Sequence, residues 1–246
     1  MLGLGTIVNT AAILIGGLLG LAVKGILKER FQKILTVAMA LTIIAMSLSD
    51  VVAKMLTIGD GKISTHGVYT IMFSLVLGAI VGELLNIDRN LERFGAFLKR
   101  KTGNAKDVVF VDAFVTASLT VCIGAMAVMG SIMDAVEHDH SILFIKAVMD
   151  SIMIMVMTAS MGKGCIFSAI PVFVFQGTVT VLASLIAPVL TESGMANLSM
   201  VGSVLILCIG VNILCDGKFR IKVANLLPSI VFAVVAAYIP FLDGLD

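Results

Sequence analysis

The sequence predicts an all-α fold, a polytopic bundle of transmembrane helices, and three observations predict it. Hydrophobic residues make up 59% of the 246 and charged residues only 13%, against about 25% charged in a soluble domain. Mean hydropathy is +1.10. The apolar runs are continuous, which suits helices that satisfy their own backbone, whereas barrel strands alternate.

A helix needs roughly 20 mainly apolar residues to cross about 30 Å of hydrocarbon. Eight segments meet that need: 2–23, 33–56, 68–87, 108–133, 141–160, 165–190, 198–215 and 223–241. The first has no basic residue before it and no A-x-A site, so it is expected to be a permanent helix and not a signal peptide. It carries Asn9 and the glycines Gly16, Gly17 and Gly20. The second holds Asp50 near its outer end, with Lys54 one turn on. The third holds Gly78 and Gly82, and Glu83 near its inner end. Small residues four apart permit close helix approach where no hydrophobic force drives association. Gly16, Gly20, Gly78 and Gly82 are therefore expected at helix contacts. Between spans three and four, Leu91, Phe94, Phe97 and Leu98 recur at helical spacing among Arg93, Lys99 and Arg100. Segment 88–107 reads as an amphipathic helix on the membrane surface or as a linker. The fifth span contains Lys146 and Asp150, and the sixth contains Gln176 after a Gly162–Lys163–Gly164 run and Pro171. That run reads as a cytoplasmic turn followed by a proline kink, or as a broken, re-entrant segment. The seventh span is short and carries Asn212; the eighth carries Asn225 and Pro228.

Lys and Arg set orientation, because positive loops stay cytoplasmic. Lys24, Lys28 and Arg30, then Arg89 to Lys106, then Lys163, then Lys218, Arg220 and Lys222 all fall in odd-numbered loops. Even-numbered loops carry Asp60, then Asp134, Glu137 and Asp139, then Glu192, with Lys62 a minor exception, and the chain ends with Asp243 and Asp246. Both termini are expected outside. The lipid bilayer is the expected main partner.

The whole chain, 1–246, reads as one integral membrane domain. An offset of 113 residues lays span one on span four and span two on span five, with Gly17 on Gly130 and Lys33 on Lys146. That register allows an inverted repeat with halves 1–87 and 108–190, joined by 88–107, and with 198–241 as additional helices. Inverted repeats are a common plan of secondary transporters.

Polar residues in lipid are costly and by default face the bundle interior or a water-filled path. Lys146 and Asp150 lie four apart, so they share one helix face. Two readings stay open: a pair that only neutralises itself for insertion, or a charged element of a pathway. Gln176, Asn9, Asn212, Asn225 and Glu83 are the other pathway candidates, and hydrogen-bonded helix crossings are the alternative for the amides. Loop 134–140 holds His138, His140 and three carboxylates, Asp134, Glu137 and Asp139, but reads as a solvated loop with no metal site. Cys122, Cys165, Cys208 and Cys215 lie in spans or at cytoplasmic span ends, which gives no extracellular disulfide framework. The 15 methionines read as packing residues. No nucleophile elbow, Walker loop, H-E-x-x-H or C-x-x-C is present, so an enzyme is not expected and no cofactor is assigned. A net charge of +1 argues against nucleic-acid binding.

Cys122–Asp134 (CIGAMAVMGSIMD), Lys146–Gly177 and Gly210–Pro228, together with Gly5 to Asn9 and Gly16–Gly17, resemble the YdfK/YqgA-like family of uncharacterised bacterial inner-membrane proteins. Glycine is common in that family after the residues matching Asp134 and Asp150; here Ala135 and Ser151 stand there. The resemblance implies a fold grouping and a bacterial setting, and brings no substrate. The reading is a homo-oligomeric transporter or channel for a small solute or ion, with a non-transporting scaffold or regulatory subunit as the alternative.

Overall fold

A computed structural model describes residues 3–26, 28–59, 62–136, 138–215 and 219–239. Asp60, Glu137, Lys218, Asp243 and Asp246, which the charge pattern uses, lie outside them. Helix dominates: α1 Leu4–Ile26, α2 Glu29–Met55, α3 Val68–Leu85, α4 Ile87–Lys101, α5 Phe110–Cys122, α6 Ala125–Val136, α7 Ser141–Met161, α8 Ala169–Val181, α9 Ala183–Ile186, α10 Glu192–Cys215 and α11 Ser229–Ala236. Strands β1 Leu56–Gly59 and β2 Lys62–Thr65 pair antiparallel, with Ile58 opposite Ile63. An all-helical reading did not foresee them.

Among the described residues six helices are long and apolar enough to span, or seven if one bent pair counts as a single span. The expectation was eight. Two segments account for the difference. Segment 108–133 is split into α5 and α6, bent by 58°. Gly124 sits at the break with φ +141°, a conformation that side chains disfavour. Segment 223–241 begins as a 3-10 turn, Val223–Leu226, and reaches only Ala236 as helix. Pro228 lies between the two and supplies no N–H to join them in one ladder.

The chain folds into two compact units, each made of two separated stretches. One comprises Met1–Leu41 and Arg89–Ala187; the other comprises Thr42–Asp88 and Pro188–Asp246. These units cut across the halves 1–87 and 108–190.

In the first unit α1 lies along α7. Gly5 meets Leu143, Gly16 meets Ser151 and Gly20 meets Met155, so the two helices run in the same direction. A Cβ at Gly16 or Gly20 would stand 2.2 Å from the carbonyl oxygen of Ser151 or Met155. Such contact is the packing that stabilises helices in lipid. Helix α8 runs antiparallel to α1, with Thr6 beside Thr180 and Gly17 beside Ile166. Helix α7 ends at Gly162, φ +110°, and a 3-10 turn, Lys163–Ser168, leads into α8. Pro171 falls in the first turn of α8, where its missing N–H is not needed. The turn packs on α5: Gly164 touches Phe110 O and the Phe110 and Phe167 rings lie 5.2 Å apart. Segment 88–107 is helical up to Lys101, as α4; Leu98 is buried and Phe94 meets Phe114 edge-on at 5.9 Å.

The second unit repeats part of this plan. Helix α3 runs antiparallel to the Val223–Leu226 turn and α11. A Cβ at Gly78 would lie 2.0 Å from Ser229 Oγ, and one at Gly82 would lie 1.7 Å from Asn225 O. In each unit a helix with two glycines four apart thus packs on a 3-10 turn followed by a proline-bearing helix start.

Candidate functional site

Asn9, Lys146, Asp150 and Gln176 converge inside the first unit. Helical spacing puts Lys146 and Asp150 on one face of α7, and Asp150 falls midway along it. The Lys146 ammonium donates to Asp150 Oδ1 at 3.0 Å and lies 2.9 Å from Oδ2. Asn9 reaches across from α1, because its helix is drawn close by Gly5 and Gly16. Its Nδ2 donates to Asp150 Oδ2 at 3.1 Å and to Gln176 Oε1 on α8 at 3.3 Å. Exposure is 8% for Lys146, 7% for Asp150, 0% for Asn9 and 1% for Gln176. The charges are therefore held in protein and not against lipid.

The break between α5 and α6 belongs to this site. The last turn of a helix leaves carbonyls without partners and carries a partial negative charge. Lys146 donates to one of them, Val121 O, at 2.9 Å. One ammonium thus answers both a carboxylate and an open helix end. Helices broken at membrane depth bring polar backbone into the protein interior, where it is tolerated only against protein or water. The site's own bonds are incomplete: Asn9 Oδ1 and Gln176 Nε2 are buried and find no protein partner. An unmade buried hydrogen bond is unfavourable by about 1–3 kcal/mol. One orphan is an acceptor and the other a donor, so a bound polar molecule can answer both.

Glu83, Asn212 and Asn225 do not join this cluster; they belong to the second unit. Asn225 Nδ2 donates to Glu83 Oε2 at 2.6 Å, and its Oδ1 accepts from the Asp88 N–H at 2.7 Å. Lys222 donates to Glu83 Oε1 at 3.0 Å, and Arg220 to Asp88 Oδ2 at 3.3 Å. Asn212 makes paired bonds of 2.8 Å with the backbone of Ile221. These amides spend their groups in holding the stretch after α10 against α3. Gly16, Gly20, Gly78 and Gly82 all face neighbouring elements, as described above.

Near the end of α6, Asp134 is fully buried and bonded to His140, whose ring lies 5.9 Å from that of Phe144. Asp139 accepts from the Ser141 hydroxyl and, at 2.9 Å, from its N–H. These bonds hold its carboxyl below the usual aspartate range. Among the described residues no three His, Cys, Asp or Glu side chains gather as a metal cluster.

Sequence reasoning paired Lys146 with Asp150 and named Asn9 and Gln176 singly, but it missed a fifth member of the cluster, the Val121 carbonyl. The only signal for it is Gly124 amid small residues.

Comparison with known proteins agrees with the resemblance read from the sequence. The family described as "Protein of unknown function (DUF554)" matches residues 4–238, and the chain belongs to it. It is 28% identical to the "Uncharacterized membrane protein YdfK" of Bacillus subtilis (strain 168) over 243 residues, 98% of each chain. It is 26% identical to the "Uncharacterized protein YqgA" of Escherichia coli (strain K12) over 235 residues, 94% of each chain. No solved structure matches the chain.

Proposed function

We propose that this member of the DUF554 family moves a small solute or ion across the bacterial inner membrane, along a route lined by Asn9, Lys146, Asp150 and Gln176. The observation that carries the reading is the set of four at the α5–α6 break, with two buried amide atoms left unpaired. A helix that needed only to span would place an apolar residue at position 150, since charge there is unfavourable by about 2.5–3.5 kcal/mol on insertion scales. Half-helix ends beside ionisable groups are the usual construction of a transport site.

A second reading, a non-transporting scaffold or regulatory subunit, draws on the second unit. There Asn212 bonds to backbone and Asn225 bonds to Glu83 and to backbone, as a static bundle would have them. The two readings separate in proteoliposomes. Sodium, potassium and proton flux are read with indicator dyes, and urea and glycerol uptake by light scattering. Transport predicts flux of at least one above empty vesicles, lost in the folded double variant Lys146→Met with Asp150→Leu. Wild-type vesicles no more permeable than empty ones to all five would favour the scaffold. A folded double variant with full flux would remove the four residues from the route.

A further inference from the structure

A second carboxylate in the spanning region has no role in the reading above. Asp50 lies on α2, five residues before Met55, the last residue of that helix. It is half-buried, in the second unit. Two hydroxyls of α10 converge on one of its oxygens: Ser203 Oγ donates to Oδ2 at 2.5 Å and Ser199 Oγ at 3.0 Å. Ser199 and Ser203 are four apart and so share a face. Oδ1 takes part in neither bond. Among the described residues no Lys, Arg or His pairs with Asp50, although Lys54 stands one turn away on the same helix. The carboxylate borders a shallow, widely open hollow on the surface of α2, lined by Ala45, Met46, Ser49 and Asp50.

We propose that Asp50, Ser199 and Ser203 form a binding site for a monovalent alkali cation, reached through the hollow beside Ser49. The chemistry follows from the donor set. All the ligands are hard oxygens, which suit alkali and alkaline-earth ions and not thiophilic metals. A serine oxygen has two lone pairs besides its proton, so each hydroxyl can go on donating to Asp50 while it offers a lone pair to the ion. One carboxylate supplies one negative charge, which neutralises Na⁺ or K⁺. A divalent ion such as Ca²⁺ takes six to eight oxygens, usually with several carboxylates. An ion here also supplies the countercharge that a carboxylate in a span otherwise lacks. The site stands on the second unit alone and does not depend on the transport role of Asn9, Lys146, Asp150 and Gln176.

The test is binding of radioactive sodium to the purified full chain in lipid nanodiscs, by scintillation proximity, with choline chloride holding ionic strength constant. The expected result is saturable binding, displaced by unlabelled Na⁺ or K⁺ and not by choline. Asp50→Asn keeps acceptors for both serines and removes the charge, so it should fold and lose the binding. Ser203→Ala should weaken binding about tenfold or more, the effect of losing one bond to a charged group. If Asp50→Asn fails to fold, the double change Ser199→Ala with Ser203→Ala retains the carboxylate and should still lose most of the affinity. Wild-type binding that does not saturate, displacement by Ca²⁺ alone, or undiminished binding by a folded Asp50→Asn or by the double serine variant would each overturn the site. The two serine bonds would then serve only to hold α2 against α10.

Discussion

Replacing Lys146 with methionine removes one cation from two acceptors at once, a carboxylate and a backbone carbonyl. Asp150 would keep only the Asn9 amide, 3.1 Å away, and Val121 O would lose its donor. Breaking a buried pair by removing one member is destabilising by about 3–5 kcal/mol, and an orphaned carbonyl adds about 1–3 kcal/mol. Part of the sum is relieved when water enters or Asp150 takes up a proton, so about 3 kcal/mol is the working figure. For a chain of this size about 1 kcal/mol shifts the midpoint by 2–4 °C, which predicts a fall of roughly 6–12 °C. The double change Lys146→Met with Asp150→Leu should recover most of it, because apolar residues of similar volume often replace a buried pair without loss. Val121 O stays unpaired in the double variant, so recovery should stop a few degrees short. The chain has no tryptophan, which leaves intrinsic fluorescence with little signal. A thiol-reactive dye suits it better: Cys165 is fully buried and bonded to Ala113 O at 3.6 Å, and it becomes reactive only on unfolding. A Lys146→Met midpoint within about 2 °C of wild type, or a double variant as damaged as the single, would refute the reasoning.

Gly82→Ala should abolish monodisperse protein, since its Cβ would stand 1.7 Å from the Asn225 carbonyl oxygen, whereas Gly25→Ala should be neutral, having nothing within 4 Å; size-exclusion profiles compare the two. In a cysteine-free background, cysteine at position 139 should react with an impermeant maleimide from outside and cysteine at 101 should not; labelling at 101 would invert the topology. Asp139→Ala should loosen the first turn of α7. In the wild type that turn should likewise loosen as pH falls. Its folded-state carboxyl titrates below the unfolded one, so the stabilisation is present above the unfolded value and lost on acidification through the folded value. Amide exchange at Ser141 reads both effects.

The membrane class was legible because continuous hydropathy is a local property, and the Lys146–Asp150 pair was legible because four-residue spacing fixes a helix face. Asn9 and Gln176 stood out singly as amides in lipid. Their meeting did not, since it depends on α1 lying beside α7 and α8 across 141 and 167 residues of sequence. The break after Cys122 was hidden for another reason: Ile123–Gly124–Ala125 is as apolar as a helix interior, and hydropathy cannot see a change of backbone angle. Asp60–Gly61 between β-rich residues is a hairpin signal, one that an all-helical reading passes over. Asp50 was visible as a charge, but its serine partners lie 149 and 153 residues away.

The interleaving of the two units bears on how the protein is made. Helix α1 leaves the ribosome long before α7. Asn9 precedes Asp150 by 141 residues, which at about 5–20 residues per second is a delay of roughly 7–28 s. Through that interval α1 sits in lipid with its amide and its glycine face unoccupied, and α2 and α3 are inserted before its lasting partner exists. Unit two is in the same position until α11 emerges. Nascent α1 and α3 therefore share a period in which each carries a bare glycine face, and pairing with each other is the misassembly most open to them. An insertion factor that shelters isolated polar helices would matter more to this chain than to a bundle whose neighbours in sequence are neighbours in space.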